Sequence, residues 1–335
     1  MSVLIICEKP SVAKTVALAL GAAEQKDGYF SGDGLLVSWC IGHLISMADA
    51  GSYDEQYKKW RYEDLPILPQ AWKYAPTPGK EKQLAVLKEL LHRSDVSEVV
   101  NGCDAGREGE LIFRFVYEQA GCTKPFSRLW ISSMEDGAIR EGFAGRRAGT
   151  EYDALYQSAL CRARADWLVG INATRLFSVL YHKTLNVGRV LSPTLNLLVE
   201  RDGKITMFHK EKYHIVHIDC GGVDAESERI SDAAAADALR TACEASQAVC
   251  VSLKKEKKTA LPPKLFDLTL LQREANRVYG FTAKQTLDYA QSLYEKRFLT
   301  YPRTDSNYLT EDMAQTATDL VAALLPVLPF MQGAE

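Results

Sequence analysis

Residues 98–113 read EVVNGCDAGREGELIF, and the fold is decided there. The run from Glu98 to Cys103 predicts a strand. The glycine-flanked turn after it leads into a helix predicted from about Arg107 to Ala120 and stopped at Gly121. Asp104 stands at the strand's exit and Glu108 at the helix's start, so both carboxylates can face the space beyond the strand's C-terminal end. That is where open α/β sheets bind ligands. One or two carboxylates with several waters is how Mg²⁺ is usually held, because it dehydrates reluctantly and accepts few protein ligands. A solvated turn whose acids suit the helix dipole would read the same way, so the octet CDAGREGE alone leaves both readings open.

Working outward, the first 150 residues repeat this alternation. Val3 to Cys7 is continuously apolar, as in a strand buried on both faces. Pro10 follows, then Val12, Val16, Ala19 and Leu20 at helical spacing, then the stop Gly21. Leu35 to Ile41 reads as a second strand, Glu81 to Arg93 as a helix with Leu84, Leu87 and Leu91 inward, and Arg128 to Ser132 as a further strand. Repeated units of this length predict an α/β domain over 1–150, with a Rossmann-like parallel sheet and helices on both faces.

A helical segment is predicted over 151–212. Between 155 and 203 it carries six Lys or Arg (Arg162, Arg164, Arg175, Lys183, Arg189, Arg201) against three acids (Asp166, Glu200, Asp202). Trp167, at helical spacing, reads as core. Residues 213–262 form a strand-containing segment, with strands at Tyr213 to Asp219 and Ala248 to Leu253 around a helix at Ala233 to Ala245. The run KKEKK and Pro262-Pro263 then mark an exposed boundary. Over 263–335 the pattern predicts a helix Leu268 to Tyr279 ended by Gly280, and another from Thr282 to Glu295 opened by a threonine cap. These lead into FLTYPRTDS at 298–306.

Composition bounds the class. A chain of 335 residues, 47% hydrophobic and 25% charged, is an ordinary globular protein of two or three domains. Its formal net charge of −3 means that any nucleic-acid contact has to come from a local basic surface. The eight cysteines form no CxxC pair and sit mostly in apolar runs, as reduced thiols do. MSVLIICEKP has no cationic leader region, and the late stretch LVAALLPVLPF is too short for a bilayer and broken by Pro326 and Pro329. The reading is a cytoplasmic protein with no membrane contact.

Two further motifs carry chemistry. In CEKPS, 7–11, a second buried strand exits at Glu8 and Lys9, and a neighbouring position in the sheet would send both into the Asp104 crevice. A carboxyl near other carboxylates has a raised pKa, which suits a proton donor, and Lys9 can act as a point charge on phosphate. In FLTYPRTDS, Tyr301 precedes Pro302, which fixes the backbone, and Arg303, whose planar fork matches two phosphate oxygens. A phenol is a covalent nucleophile where cations already neutralise the phosphate. Taken singly, each motif more commonly marks ordinary loop or strand residues.

Taken together, CEKPS, CDAGREGE, NVGRVLSP at 186–193 and FLTYPRTDS resemble the type IA DNA topoisomerases, the topoisomerase III branch in particular. WCIGHL at 39–44, WISS at 130–133 and ADWLVGINATR at 165–175 are similar to stretches of the same family, so the resemblance runs from Val3 to about Leu309. It implies a Toprim domain in which Glu8 protonates the departing 3′ oxygen and Lys9 contacts the scissile phosphate. It also implies Asp104 and Glu108, with Glu8, at Mg²⁺ positions, Tyr301 as nucleophile and Arg303 as phosphate clamp. The family's DxDxE here reads Asp104, Gly106, Glu108, lacking the middle carboxylate. Arg162, Arg175 and Arg189 fall in stretches that line the family's single-strand groove, and Arg107 is a further candidate DNA contact. His43 is either a phosphate contact or a satisfied core histidine.

The implied function is ATP-independent: one DNA strand is cut through a 5′-phosphotyrosine, another is passed, and the break is resealed. Negative supercoils are thereby relaxed or DNA decatenated, with single-stranded segments as the partner and, in a bacterium, the nucleoid as the place. No nucleotide or organic cofactor is implied, and GxxxxGK[ST] is absent. The rivals are a Toprim nuclease or primase and a non-catalytic single-strand-binding protein. Family members continue well past the tyrosine, so the chain reads as a fragment with the tyrosine domain unfinished. Alone, it is expected to bind single strands weakly and not to relax a plasmid.

Overall fold

Strand β1 (Ser2–Cys7) lies at the centre of the main sheet because both of its faces are apolar. The computed structural model describes residues 1–132, 134–296, 298–309 and 313–328. After β1 come α1 (Pro10–Leu20), the hairpin strands β2 (Glu24–Lys26) and β3 (Tyr29–Gly32), then β4 (Leu35–Trp39). Strands β5 (Ile45–Met47) and β6 (Tyr74–Pro76) pair apart from the sheet. The domain continues with α2 (Glu81–His92), β7 (Val96–Gly102), α3 (Arg107–Gln119), β8 (Phe126–Arg128), α4 (Asp136–Ala144) and β9 (Arg147–Ala148).

The sheet order is β2-β3-β4-β1-β7-β8-β9. Its four central strands are parallel, β3 and β9 run against them, and β2, paired antiparallel with β3, closes one edge. The parallel sheet read from the sequence is the centre of this one, and the edges add antiparallel pairs to it. Edge strands pair on one side and need no crossover helix, which a tight hairpin at Gly28 permits. The period of two in β1 sorts its side chains. Leu4 and Ile6 pack with Leu87, Leu91, Leu111 and Phe113 under α2 and α3; Ile5 and Cys7 pack with Val12, Val16 and Ile139 under α1 and α4. Each such side chain contributes about 1.5–3 kcal/mol through burial, so the sheet's ends are anchored on both faces. Pro10 opens α1 at its first turn, and Gly21 closes it at φ 89° with its N–H on the Ala17 and Leu18 carbonyls.

Beyond the sheet, α5 (Asp153–Leu180) packs on α3 through Tyr156, Ala159 and Leu160. Then follow α6 (Leu191–Thr206), the hairpin β10 (His217–Asp219) and β11 (Asp224–Glu226), α7 (Ala233–Glu244), α8 (Leu268–Tyr279), α9 (Ala283–Glu295) and α10 (Ala314–Leu324). Thr282 caps α9 in a reciprocal capping box with Gln285. The chain divides into two compact units, 1–189 with 264–335, and 190–263.

Two predicted strands are corrected. Residues 248–253 form none: Val249, Val251 and Leu253 are exposed, and the alternation of apolar residues finds no neighbouring strand to supply a ladder. The strand predicted at 128–132 is instead β8, which ends at Arg128. Leu129 N–H still donates to the Asn101 carbonyl, but β7 itself ends at Gly102. Ser133 lies outside the described residues. The 213–219 strand shortens to 217–219, with an isolated bridge between His214 and Ile230.

Candidate active site

In the sheet register Cys7 lies opposite Gly102, so the chain leaves β1 at Glu8 and β7 at Cys103-Asp104 side by side. Lys9 Nζ lies 3.8 Å from both Glu8 Oε1 and Asp104 Oδ2. Glu8 is 8% exposed. Burial pushes its carboxyl above the ordinary glutamate range and the nearby Asp104 pushes the same way, against Lys9, Arg303 and the Asp104 backbone N–H that donates to it. A carboxyl held this way takes up a proton more readily than an exposed glutamate does.

Tyr301 comes from far along the chain. Its hydroxyl donates to Asp104 Oδ2 at 3.2 Å, and its ring meets Tyr294 of α9 edge-on at 5.7 Å. Tyr294 itself is buried in the α1 face of the core, which is how the loop after α9 is moored to the sheet. The Tyr301 phenol is pushed up to about 12 by burial first, then by Asp104 and Glu8, while Arg303 lowers it. It therefore stays protonated until added positive charge lowers its pKa. Arg303 is exposed and acts electrostatically on both Tyr301 and Glu8.

Glu108 opens α3 with an exposed carboxylate 3.6 Å from His43 Nε2. His43 is thus half-exposed beside an acid, not a satisfied core residue. Its loop is clamped by Lys80, whose Nζ donates to the Ile41 carbonyl at 2.6 Å and the His43 carbonyl at 3.1 Å. Gly106 has extended backbone, and a Cβ added there would meet nothing within 4 Å. A third carboxylate at 106 would therefore be tolerated sterically. Among the described residues no cluster of three or more His, Cys, Asp or Glu is placed to hold a metal unaided. The oxygen donors of Asp104 and Glu108 nonetheless suit a hard cation that keeps most of its waters.

The arginines are placed differently from one another. Arg107 is exposed at the start of α3 and Arg162 half-buried on α5. Arg189 forms an ion pair with Asp166 at 2.7 Å and acts electrostatically with Glu108, which brings it to the rim of the crevice. Arg175 is 6% exposed, with its guanidinium 5.5 Å from the Trp60 ring centroid and near Asp64 and Asp49, so it does not face an open groove here. Trp167 is half-buried: it donates to the Ala48 carbonyl and packs against Tyr53 and Trp72. A cavity of about 410 Å³ lined by Tyr62, Leu65, Val169 and Leu176 includes none of the crevice residues.

Sequence reasoning missed the support beneath the crevice. Arg128, Glu110, Asn101 and Arg114 form a buried polar network behind Asp104. Its signal was present: Glu110 and Arg114 stand at i and i+4 within the apolar stretch of α3, where charges are found only when paired.

Carboxylates at adjacent strand ends of this sheet define a Toprim protein, and residues 3–134 match the model of the Toprim domain. Residues 150–327 match the model described as DNA topoisomerase. The DNA topoisomerase 3 of Shouchella clausii is 42% identical over 335 residues, 97% of this chain and 46% of its own. That of Bacillus subtilis is 41% identical over 337 residues, 98% of this chain and 46% of its own. Among solved structures, full-length topoisomerase I of Thermotoga maritima has a TM-score of 0.67 at 25% identity, over 96% of this chain and 52% of that one. The chain belongs to the DNA topoisomerase family, as its resemblance to the type IA members implied. It spans about half the length of the curated relatives it matches.

Proposed function

We propose that this chain carries the strand-cleaving centre of a type IA DNA topoisomerase, an ATP-independent isomerase that cuts and reseals one DNA strand. The observation that supports this best is the meeting of Tyr301 with Asp104, 197 positions apart, in the crevice that also holds Glu8 and Lys9. Tyr301 Oη attacks the scissile phosphorus, forming a phosphotyrosine bond on the 5′ side as the bond to the 3′ oxygen breaks. The phenolic proton leaves toward Asp104 Oδ2, its acceptor in this structure. Glu8, whose hold on a proton burial strengthens, gives a proton to the departing 3′ oxygen. Lys9 and Arg303 neutralise the phosphate, Arg303 through its planar fork. Resealing runs the same transfers backward, so the ester conserves the bond energy and no nucleotide is needed.

Asp104 and Glu108, with Glu8 beside them, would hold Mg²⁺, which supplies charge neutralisation at the phosphate when bound. Arg162, Arg189 and Arg107, with His43, would carry the single strand on to the crevice. Arg175 would join them only after leaving its seat against Trp60. Such contacts are salt-dependent and tolerant of sequence. We assign residues 1–150 to the Toprim part, 151–212 to the groove, 213–262 to an arch segment and 263–335 to the tyrosine-bearing part. Relaxation or decatenation of negatively supercoiled DNA, in the reducing compartment that eight free cysteines suit, is the outcome proposed for the whole protein.

The test is to incubate the chain with a single-stranded oligonucleotide and Mg²⁺, then denature it. A covalent protein–DNA adduct is expected. Cleavage with both fragments free would favour a Toprim nuclease, and binding without cleavage would favour a single-strand-binding protein.

A further inference from the structure

Arg128 ends β8 with its side chain wholly excluded from solvent, and so is its partner Glu110. From Nη1 it donates to the carbonyl oxygens of Cys103 at 2.7 Å, Asn101 at 2.9 Å and Leu129 at 3.1 Å. From Nη2 it donates to the carbonyl of Asp104 at 2.7 Å. Its Nε lies 3.2 Å from Glu110 Oε2, an ion-pair contact too poorly aligned to be a good hydrogen bond. Glu110 also accepts from Asn101 Nδ2 at 2.8 Å and Arg114 Nε at 2.9 Å, so neither buried charge is left uncompensated. The Asp104 peptide is confined from a second direction. A Cβ on Gly109 would stand 2.1 Å from the Asp104 carbonyl oxygen and 3.0 Å from its carbonyl carbon and its nitrogen. Asp104 therefore leaves β7 between a guanidinium and a glycine contributed by two different elements.

We infer that Arg128 is a positioning residue for Asp104: its buried guanidinium binds the carbonyls of Cys103 and Asp104 together and fixes the turn that aims the Asp104 carboxylate at Lys9 and Tyr301. Glu110 is its counter-charge, and Gly109 provides the clearance. This inference rests on the reading of Asp104 as a site carboxylate. A lysine at 128 keeps the charge but has no planar fork to span several carbonyls at once. Buried ion pairs can often be replaced by apolar side chains of similar volume without loss of stability, so the charge pair alone is not what the fold needs from these residues. Holding a peptide in one orientation does require the donors. Partners behind a metal-binding group typically govern affinity by about 10- to 100-fold.

The experiment measures Mn²⁺ binding to the whole chain by electron paramagnetic resonance, with thermal melting as the control for folding. The variants are Asp104→Asn, Arg128→Lys, and the double replacement of Arg128→Met with Glu110→Met. Asp104→Asn is expected to weaken binding strongly. Arg128→Lys is expected to remain folded and weaken it about tenfold or more. The double variant, in which Asn101, Arg114 and the Cys103 and Asp104 carbonyls each lose a partner, is expected to melt below the parent and, while folded, to bind as weakly as Arg128→Lys. Parental Mn²⁺ affinity in folded Arg128→Lys or in the folded double variant would overturn the inference, as would loss of fold in both, which would assign the network to stability. Unchanged binding in Asp104→Asn would instead overturn the reading of the site on which the inference rests.

Discussion

On the sheet side of the crevice, Asp104 is fixed through its backbone by a guanidinium without solvent exposure, while on the loop side Tyr301 reaches the same carboxylate through a 3.2 Å hydrogen bond and an edge-on contact with Tyr294. The first arrangement is built into the core of a seven-stranded sheet, and the second is docked against it. Local stability follows buried contacts, so the tyrosine side can separate at lower cost than the acid side can deform. Under the proposed reaction, which holds one DNA end by a covalent bond, the face carrying Asp104 would stay intact while the seat of Tyr301 opens.

The comparison is broken most sharply by removing the nucleophile. Tyr301→Phe keeps the ring on Tyr294 and removes the oxygen, so adduct formation should fall below detection while oligonucleotide affinity stays within about twofold, since no phosphate contact is removed. Next comes Arg303→Lys, which keeps the charge and loses the fork. Cleavage should slow by the equivalent of about 1.5–3 kcal/mol, or roughly 10- to 150-fold, in a single-turnover assay. Parental rates there would make Arg303 a bystander.

On the sheet side the expected effects are smaller. Gly106→Asp enters open space on extended backbone and adds a third carboxylate, so the Mg²⁺ concentration for half-maximal resealing should drop severalfold. An unchanged requirement would mean that Asp104 and Glu108 already set it. The smallest effect concerns stability. A carboxyl whose folded pKa is raised favours the fold below its unfolded pKa and loses that contribution as pH rises through the folded value. Glu8→Gln should therefore raise the melting temperature by about a few degrees at pH 7–8, with the gain shrinking as the pH is lowered toward the ordinary glutamate range. A gain that does not depend on pH would separate Glu8's effect from its charge.

Much of this was legible in local pattern. The continuous apolar runs before Glu8 and Asp104 marked two buried strands, and their side-by-side exits place Glu8, Lys9 and Asp104 together. The glycine after Tyr279 and the threonine before Ala283 bounded α8 and α9. Pairing with distant partners was not legible. The polar strand Glu24–Lys26 exists because Tyr29–Gly32 folds back beside it, and Ala248–Leu253 fails to become a strand despite a better pattern. Arg128 looked like the start of a strand and is a buried guanidinium, because its role depends on carbonyls some 25 residues away. Lys80 likewise showed no motif, yet it fixes the loop that sets His43 against Glu108.

The polarity of the covalent link tests the central claim most directly. An oligonucleotide labelled at its 3′ end and the same oligonucleotide labelled at its 5′ end are each cleaved by the chain in Mg²⁺ and denatured. Attack by Tyr301 with departure of the 3′ oxygen predicts that the 3′ label travels with the protein, on a peptide containing Tyr301, and that the 5′ label is released on a shorter strand with a free 3′ hydroxyl. A 5′ label retained on the protein, or an adduct mapped to another residue, would contradict the account.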